Sequence, residues 1–135
     1  MENLNENLGE RINGLLTSQS MKDFVSIVEK FASIFAEFNG DFPNSLVRRI
    51  SVSSDKEVHY WAQFFALGLV DEGETITVNF CSEGTGNDVN EKIGVIGFDD
   101  GCAYITFEEN KHKKFYLNDQ HIERLFQTAY SKLIN

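Results

Sequence analysis

Three histidines, two cysteines and twenty-one acidic residues are the groups in this 135-residue chain best equipped for chemistry. His59, His112 and His121 fall in three different predicted elements. Neither a glycine-serine-glycine elbow nor a Cys-His signature supplies the paired nucleophile and base that covalent catalysis requires. Cys81 and Cys102 are too few for a disulfide framework or a cysteine metal site, and they read as buried or half-buried free thiols on separate strands. Gly84-Thr85-Gly86 has the look of a phosphate loop. It lacks a third glycine and a Lys-Ser/Thr ending, and the stretch from Asn87 to Glu91 sets carboxylates where a phosphate needs donors. Glu83, Asp88 and Glu91 are hard oxygen ligands of the kind calcium or magnesium takes, but EF-hand spacing fails and a solvated loop is the simpler reading. The pairs Asp99-Asp100 and Glu108-Glu109 lie at predicted turns and strand ends, where water screens them and denies them the shifted pKa values of an acid/base pair. No catalytic residue, metal or cofactor is expected, and the chain reads as a non-enzyme.

What these residues offer collectively is charge. Between Asp71 and Glu109 lie ten carboxylates and one basic residue, Lys92, so this segment alone accounts for the whole formal net charge of −9. Scattered charges would serve solubility equally well, so the concentration points to binding of a cationic partner by electrostatic attraction. The same acidity argues against direct contact with nucleic acid, which is bound through Lys and Arg. Arg48 and Arg49 read as a solvated pair that compensates the acidic segment.

The elements that must position these groups follow from apolar spacing. Leu4, Leu8, Ile12, Leu15 and Leu16 predict a helix from about Asn3 to Leu16, weakened by Gly9 and Gly14. Thr17 to Ser20 reads as a turn, with Ser18 or Ser20 available to cap a second helix from Met21 to Phe38. That helix carries the stripe Phe24, Ile27, Val28, Phe31, Ala32, Phe35 and Phe38 and stops at Asn39-Gly40. Asp41 to Ser54 is expected as a short helix from Pro43 through Arg49 and then a brief strand. Ser54-Asp55-Lys56-Glu57 matches a capping box, and Val58, Trp61, Ala62 and Phe65 keep helical spacing, so a helix to about Leu67 is expected. The competing reading makes Ser53 to Lys56 a hairpin turn, with Val58, Tyr60, Ala62 and Phe64 alternating along a strand.

Beyond Gly68 the pattern is β. Ile76, Val78 and Phe80 alternate with Thr75, Thr77 and Asn79, and Glu83 to Glu91 reads as a loop. Strands Lys92 to Phe98 and Cys102 to Glu108 are joined by the hairpin signal Asp99-Asp100-Gly101. In the second of these, Ala103, Ile105 and Phe107 are expected to face the core, with Cys102, Tyr104, Thr106 and Glu108 on the opposite face. A turn from Asn110 to Lys114 leads to a short strand, Phe115 to Leu117. Asn118 or Asp119 then caps a last helix carrying Ile122, Leu125, Phe126, Ala129, Tyr130, Leu133 and Ile134. The fold class is α+β: an antiparallel sheet of three to five strands flanked by N-terminal helices and a C-terminal helix. Length, 41% hydrophobic residues and twelve Phe suit one domain spanning residues 1–135. The polar start from Met1 to Glu10, the lack of a long apolar span and the cysteine usage suggest a reduced, cytoplasmic, non-membrane protein.

Small size, the acids concentrated from Asp71 to Glu109 and a helix-flanked sheet together resemble a bacterial toxin immunity protein of the contact-dependent growth inhibition type. The resemblance implies a stoichiometric inhibitor, monomeric until it forms a heterodimer with a cationic toxin domain such as a nuclease, whose substrate-binding surface its acidic face occludes. The expected contacts are Asp71, Glu72, Glu74, Glu83, Asp88, Asp99 and Asp100, with Tyr104 as an outward aromatic anchor. Tyr60 and Trp61 are further anchor candidates, core packing being the simpler reading of Trp61. A dimeric secretion chaperone that holds apolar client segments, and a small metal-binding domain or enzyme, are the alternatives.

Overall fold

A computed structural model describes residues 23–37, 48–84, 86, 88–99 and 101–134. The helix expected from Asn3 to Leu16 and the turn after it lie outside these residues. Helix α1 (Phe24–Glu37) is followed by strands β1 (Arg48–Ser54), β2 (Glu57–Ala62), β3 (Phe65–Asp71), β4 (Thr75–Ser82), β5 (Val89–Asp99), β6 (Cys102–Phe107) and β7 (Phe115–Tyr116), and by helix α2 (Asp119–Ile134). All seven strands form one sheet in chain order, each antiparallel to the next. The expected α+β class is present, but the sheet has seven strands where three to five were expected.

The additional strands come from the stretch read as helix. Ser54 to Leu67 is not helical: β1 turns into β2 at Asp55-Lys56, and β2 into β3 at Gln63-Phe64. The Ser54 hydroxyl accepts from the Lys56 amide at 3.1 Å, so the apparent capping serine closes a hairpin turn. The competing hairpin reading is the one that matches. Arg48 and Arg49, expected at the end of a short helix, belong to the seven-residue β1, and residues 43–47 lie outside the described part. Strand β5 also starts earlier than expected, since Val89 to Glu91 pair with Ser82 to Phe80 and are strand, not loop.

Both helices have local reasons for where they begin. The Asp23 carboxylate accepts the Ser26 amide at 2.8 Å while the Ser26 hydroxyl accepts the Asp23 amide at 3.1 Å, a reciprocal cap; Ser18 and Ser20, the expected caps, lie outside the described residues. Hydrogen bonds to the carboxylate from the Ser26 backbone, and then from its side chain, hold the Asp23 carboxyl below its ordinary value. Asn118 caps α2 by accepting the His121 amide at 2.9 Å.

Ile27, Phe31, Ile34 and Phe35 of α1 and Ile122, Leu125, Phe126, Ala129 and Tyr130 of α2 are buried on one face of the sheet. They meet Val58, Tyr60, Leu67, Leu69, Ile76, Val78, Phe80, Ile96, Ile105 and Phe107. At the centre Phe35 lies 5.6 Å from both Tyr60 and Phe126, ring centre to ring centre. Tyr60 donates to the Val28 carbonyl at 2.8 Å, and Tyr130 donates to the Tyr60 carbonyl at 2.6 Å. Burial pushes the hydroxyls of Tyr60 and Tyr130 well above the ordinary tyrosine range, so both remain donors.

His121, at the start of α2, packs between Phe107 and Phe115 at 5.9 and 5.4 Å, and its Nδ1 is buried with no hydrogen-bond partner. Burial lowers its pKa from the ordinary 6.5, opposed by a hydrogen bond with the Tyr116 backbone. The folded state therefore binds fewer protons than the unfolded chain, and this part of the stability, complete above pH 6.5, is lost as pH falls through the folded-state pKa. The melting temperature is expected to fall more steeply below pH 6.5 in the wild type than in a His121→Gln variant, as scanning calorimetry at several pH values would show.

Candidate functional site

The two helices leave the second face of the sheet uncovered by any other described helix, and its side chains can be read row by row from the strand register. One row crosses β1 to β5 as Arg49, Trp61, Ala66, Cys81 and Asn90, and the next as Ser51, His59, Gly68, Asn79 and Lys92. Trp61, Ala66 and Cys81 form a small buried cluster of their own, separate from the main core. Trp61 is thus packed, as its simpler reading had it, but on the face opposite the helices.

Around this cluster lies a cleft of about 530 Å³. The Arg49 guanidinium sits 4.9 Å over the Trp61 ring, the Trp61 indole N–H donates to the Ser51 hydroxyl at 3.0 Å, and His59 stacks beside Trp61 at 5.9 Å. These contacts fix the indole from three sides. His59 Nε2 is 3.7 Å from Glu57, while its Nδ1 is buried with no partner. The ring lies where a side chain on the neighbouring strand would be: a Cβ on Gly68 would come within 2.9 Å of His59 Cδ2. Glycine is needed here for that close approach. Cys81 donates to the Asn90 carboxamide oxygen at 3.6 Å, and burial, with Glu57 nearby, pushes its thiol up to about 11. A thiol so rarely ionised is a poor nucleophile. Glu83 and Asp88 complete the lining at the β4–β5 connection, where Asp88 accepts the Gly84 amide at 3.0 Å.

The expected contact acids divide between the two ends of the sheet. Asp71 ends β3, and Glu72 and Glu74 lie in the β3–β4 turn that follows, which neighbours Asp99 at the end of β5 through the pair Thr75 and Gly97. Glu83 and Asp88 sit at the other end of the eight-residue β4, about 25 Å away at 3.3 Å per residue. Asp100 lies outside the described residues. Asp71 accepts the Gly73 amide at 2.9 Å and Glu72 accepts the Thr77 hydroxyl at 3.2 Å, so both carboxylates also shape their turn. Tyr104 joins Asp99 in a recess of about 300 Å³ on the second face. There it stacks on Tyr116 at 4.9 Å, with Lys114 Nζ 4.9 Å over its ring and 3.1 Å from Asp99. Its side-chain hydrogen bond with Tyr116 raises the Tyr104 hydroxyl to about 12. Glu108 and Glu109 are drawn into ion pairs with Lys92, Lys111 and Arg124.

Among the described residues no three His, Cys, Asp or Glu side chains converge as a metal site needs, and no helix is long and apolar enough to cross a membrane. Cys81 and Cys102 are both free and buried, on β4 and β6. Cys102, expected on the more polar face of β6, is only 4% exposed. The cleft residues Arg49, Ser51, His59 and Asn90 were not foreseen as a group, because only the register of five strands assembles them. Comparison with protein-family models, with curated proteins and with solved structures finds no match. Among the described residues the geometry is that of a two-faced sheet, one face carrying the helices and the other carrying the recesses around Trp61 and Tyr104.

Two outcomes test this site's construction. Gly68→Ala is expected to displace the His59 ring and change the fluorescence of the chain's single tryptophan, with a stability loss of about 1 kcal/mol in urea titration. Iodoacetamide at pH 8 is expected to label Cys81 at least about tenfold more slowly than a free cysteine, read by mass spectrometry.

Proposed function

We propose that the protein binds a cationic protein partner as an immunity protein binds its toxin, placing the acidic end of its sheet in the partner's basic groove. A nuclease domain is the partner class whose groove fits best, because carboxylates there would stand in for substrate phosphates. The observation that carries this reading is the grouping of Asp71, Glu72, Glu74 and Asp99 at one sheet end, beside the stacked pair Tyr104 and Tyr116. Acids at a rim raise the rate of encounter, while aromatic rings that exclude water supply much of the holding energy. Glu83 and Asp88, at the opposite end, are not part of this contact. Lys114 compensates Asp99 directly, so the uncompensated pull comes chiefly from the β3–β4 turn.

The test uses the product of the neighbouring gene, since an immunity gene normally follows that of its toxin. A one-to-one complex is expected, with an association rate that falls as salt rises. Replacing Asp71 and Asp99 by Asn and Glu72 and Glu74 by Gln keeps the oxygen acceptors that shape the turn. Together these changes are expected to slow association by about tenfold or more at low salt in stopped-flow measurements. Unchanged association, or an obligate homodimer that ignores the partner, would count against the proposal; the second result would favour a chaperone.

A further inference from the structure

The cleft around Trp61 lies about 25 Å from the acidic end and plays no part in the contact described above. Its chemistry is graded. The floor is formed by the apolar side chains of Trp61 and Cys81, and the mouth on the β4–β5 side carries the carboxylates of Glu83 and Asp88. Across the cleft, Arg49 already occupies a face of the indole, and its charge turns any second cation away from the ring and towards those carboxylates. A guest suited to this gradient has an apolar stem and a cationic tip, the make-up of arginine and lysine side chains. Arginine fits better, because its planar guanidinium can take two carboxylates at once and loses less in leaving water. The cleft's volume of about 530 Å³ exceeds what one side chain fills, which suits a side chain presented on a loop of a protein.

We propose that this cleft is a second contact site, which seats an arginine side chain projecting from a protein partner, its stem over Cys81 and its guanidinium between Glu83 and Asp88. The reading of a cationic partner enters only in naming where the arginine comes from. With the two sites at opposite ends of one face, a partner lying along the strands would engage both.

The probes are three capped peptides: acetyl-Gly-Arg-Gly-amide, the same peptide with neutral citrulline for arginine, and one with glutamate. Binding is read from Trp61 fluorescence, unambiguous in a chain with a single tryptophan, and from the Trp61 indole and Asn90 amide signals in NMR titrations. The arginine peptide is expected to give a saturable change with half-saturation at about 1 to 10 mM, and the citrulline peptide to bind at least about fivefold more weakly. The double variant Glu83→Gln, Asp88→Asn retains the Asp88 acceptor for Gly84. It is expected to weaken the arginine peptide by about fivefold or more with no change in melting temperature. The proposal is overturned by equal binding of citrulline and arginine, by tighter binding of glutamate through Arg49, by an unaffected double variant, or by no saturable change up to about 50 mM. None of these peptides probes the β3–β4 turn, so failure here leaves the acidic-end contact standing, and failure there leaves this site standing.

Discussion

Two hydrogen bonds from buried tyrosines set the architecture: Tyr130 to the Tyr60 carbonyl, and Tyr60 to the Val28 carbonyl. Through them α2 is tied to β2 and β2 to α1. A buried hydroxyl or carbonyl left without its partner costs about 1 to 3 kcal/mol, so each bond selects this helix placement over a slipped one. The rings carrying those hydroxyls pack with Phe31, Phe35 and Phe126, which makes the same residues both the apolar centre and the polar fastening.

Both described helices lie on one face, and no other described helix covers the second. That second face is not simply polar. Trp61 and Cys81 are almost fully buried there, held by neighbours on the same sheet, and Gly68 has given up its side chain to make room for His59. A sheet that was only a support for helices would have no need of an indole bonded to Ser51 and capped by Arg49. The acids fall at both ends of this face, with the stacked Tyr104 and Tyr116 beside one group and the Trp61 cleft beside the other.

Much of this was legible in the sequence, and the exceptions have physical causes. Helix α2 and the strand through Ile76, Val78 and Phe80 have one buried face each, and their periods are unmistakable. In β2 the core residues Val58, Tyr60 and Ala62 are joined by Trp61, buried on the other face, which erases the alternation and leaves a spacing that passes for helical. The next turn gives no signal either: Gln63 adopts a φ of 56° where a glycine or asparagine would have announced the hairpin. The concentration of acids was plain, but its division between two ends depends on strand order. The cleft depends on residues from β1 to β5, and no local pattern connects Arg49 with Asn90.

The central claim is that the uncovered face of the sheet is the one that binds. Hydroxyl-radical footprinting of the protein, alone and with the product of the neighbouring gene, tests it through side chains directly. Tyr104 and Tyr116 are expected to lose reactivity in the complex, while Val25, 62% exposed on α1, keeps its own. Protection of Val25 and the outer helix surface, with the two tyrosines unchanged, would contradict the account.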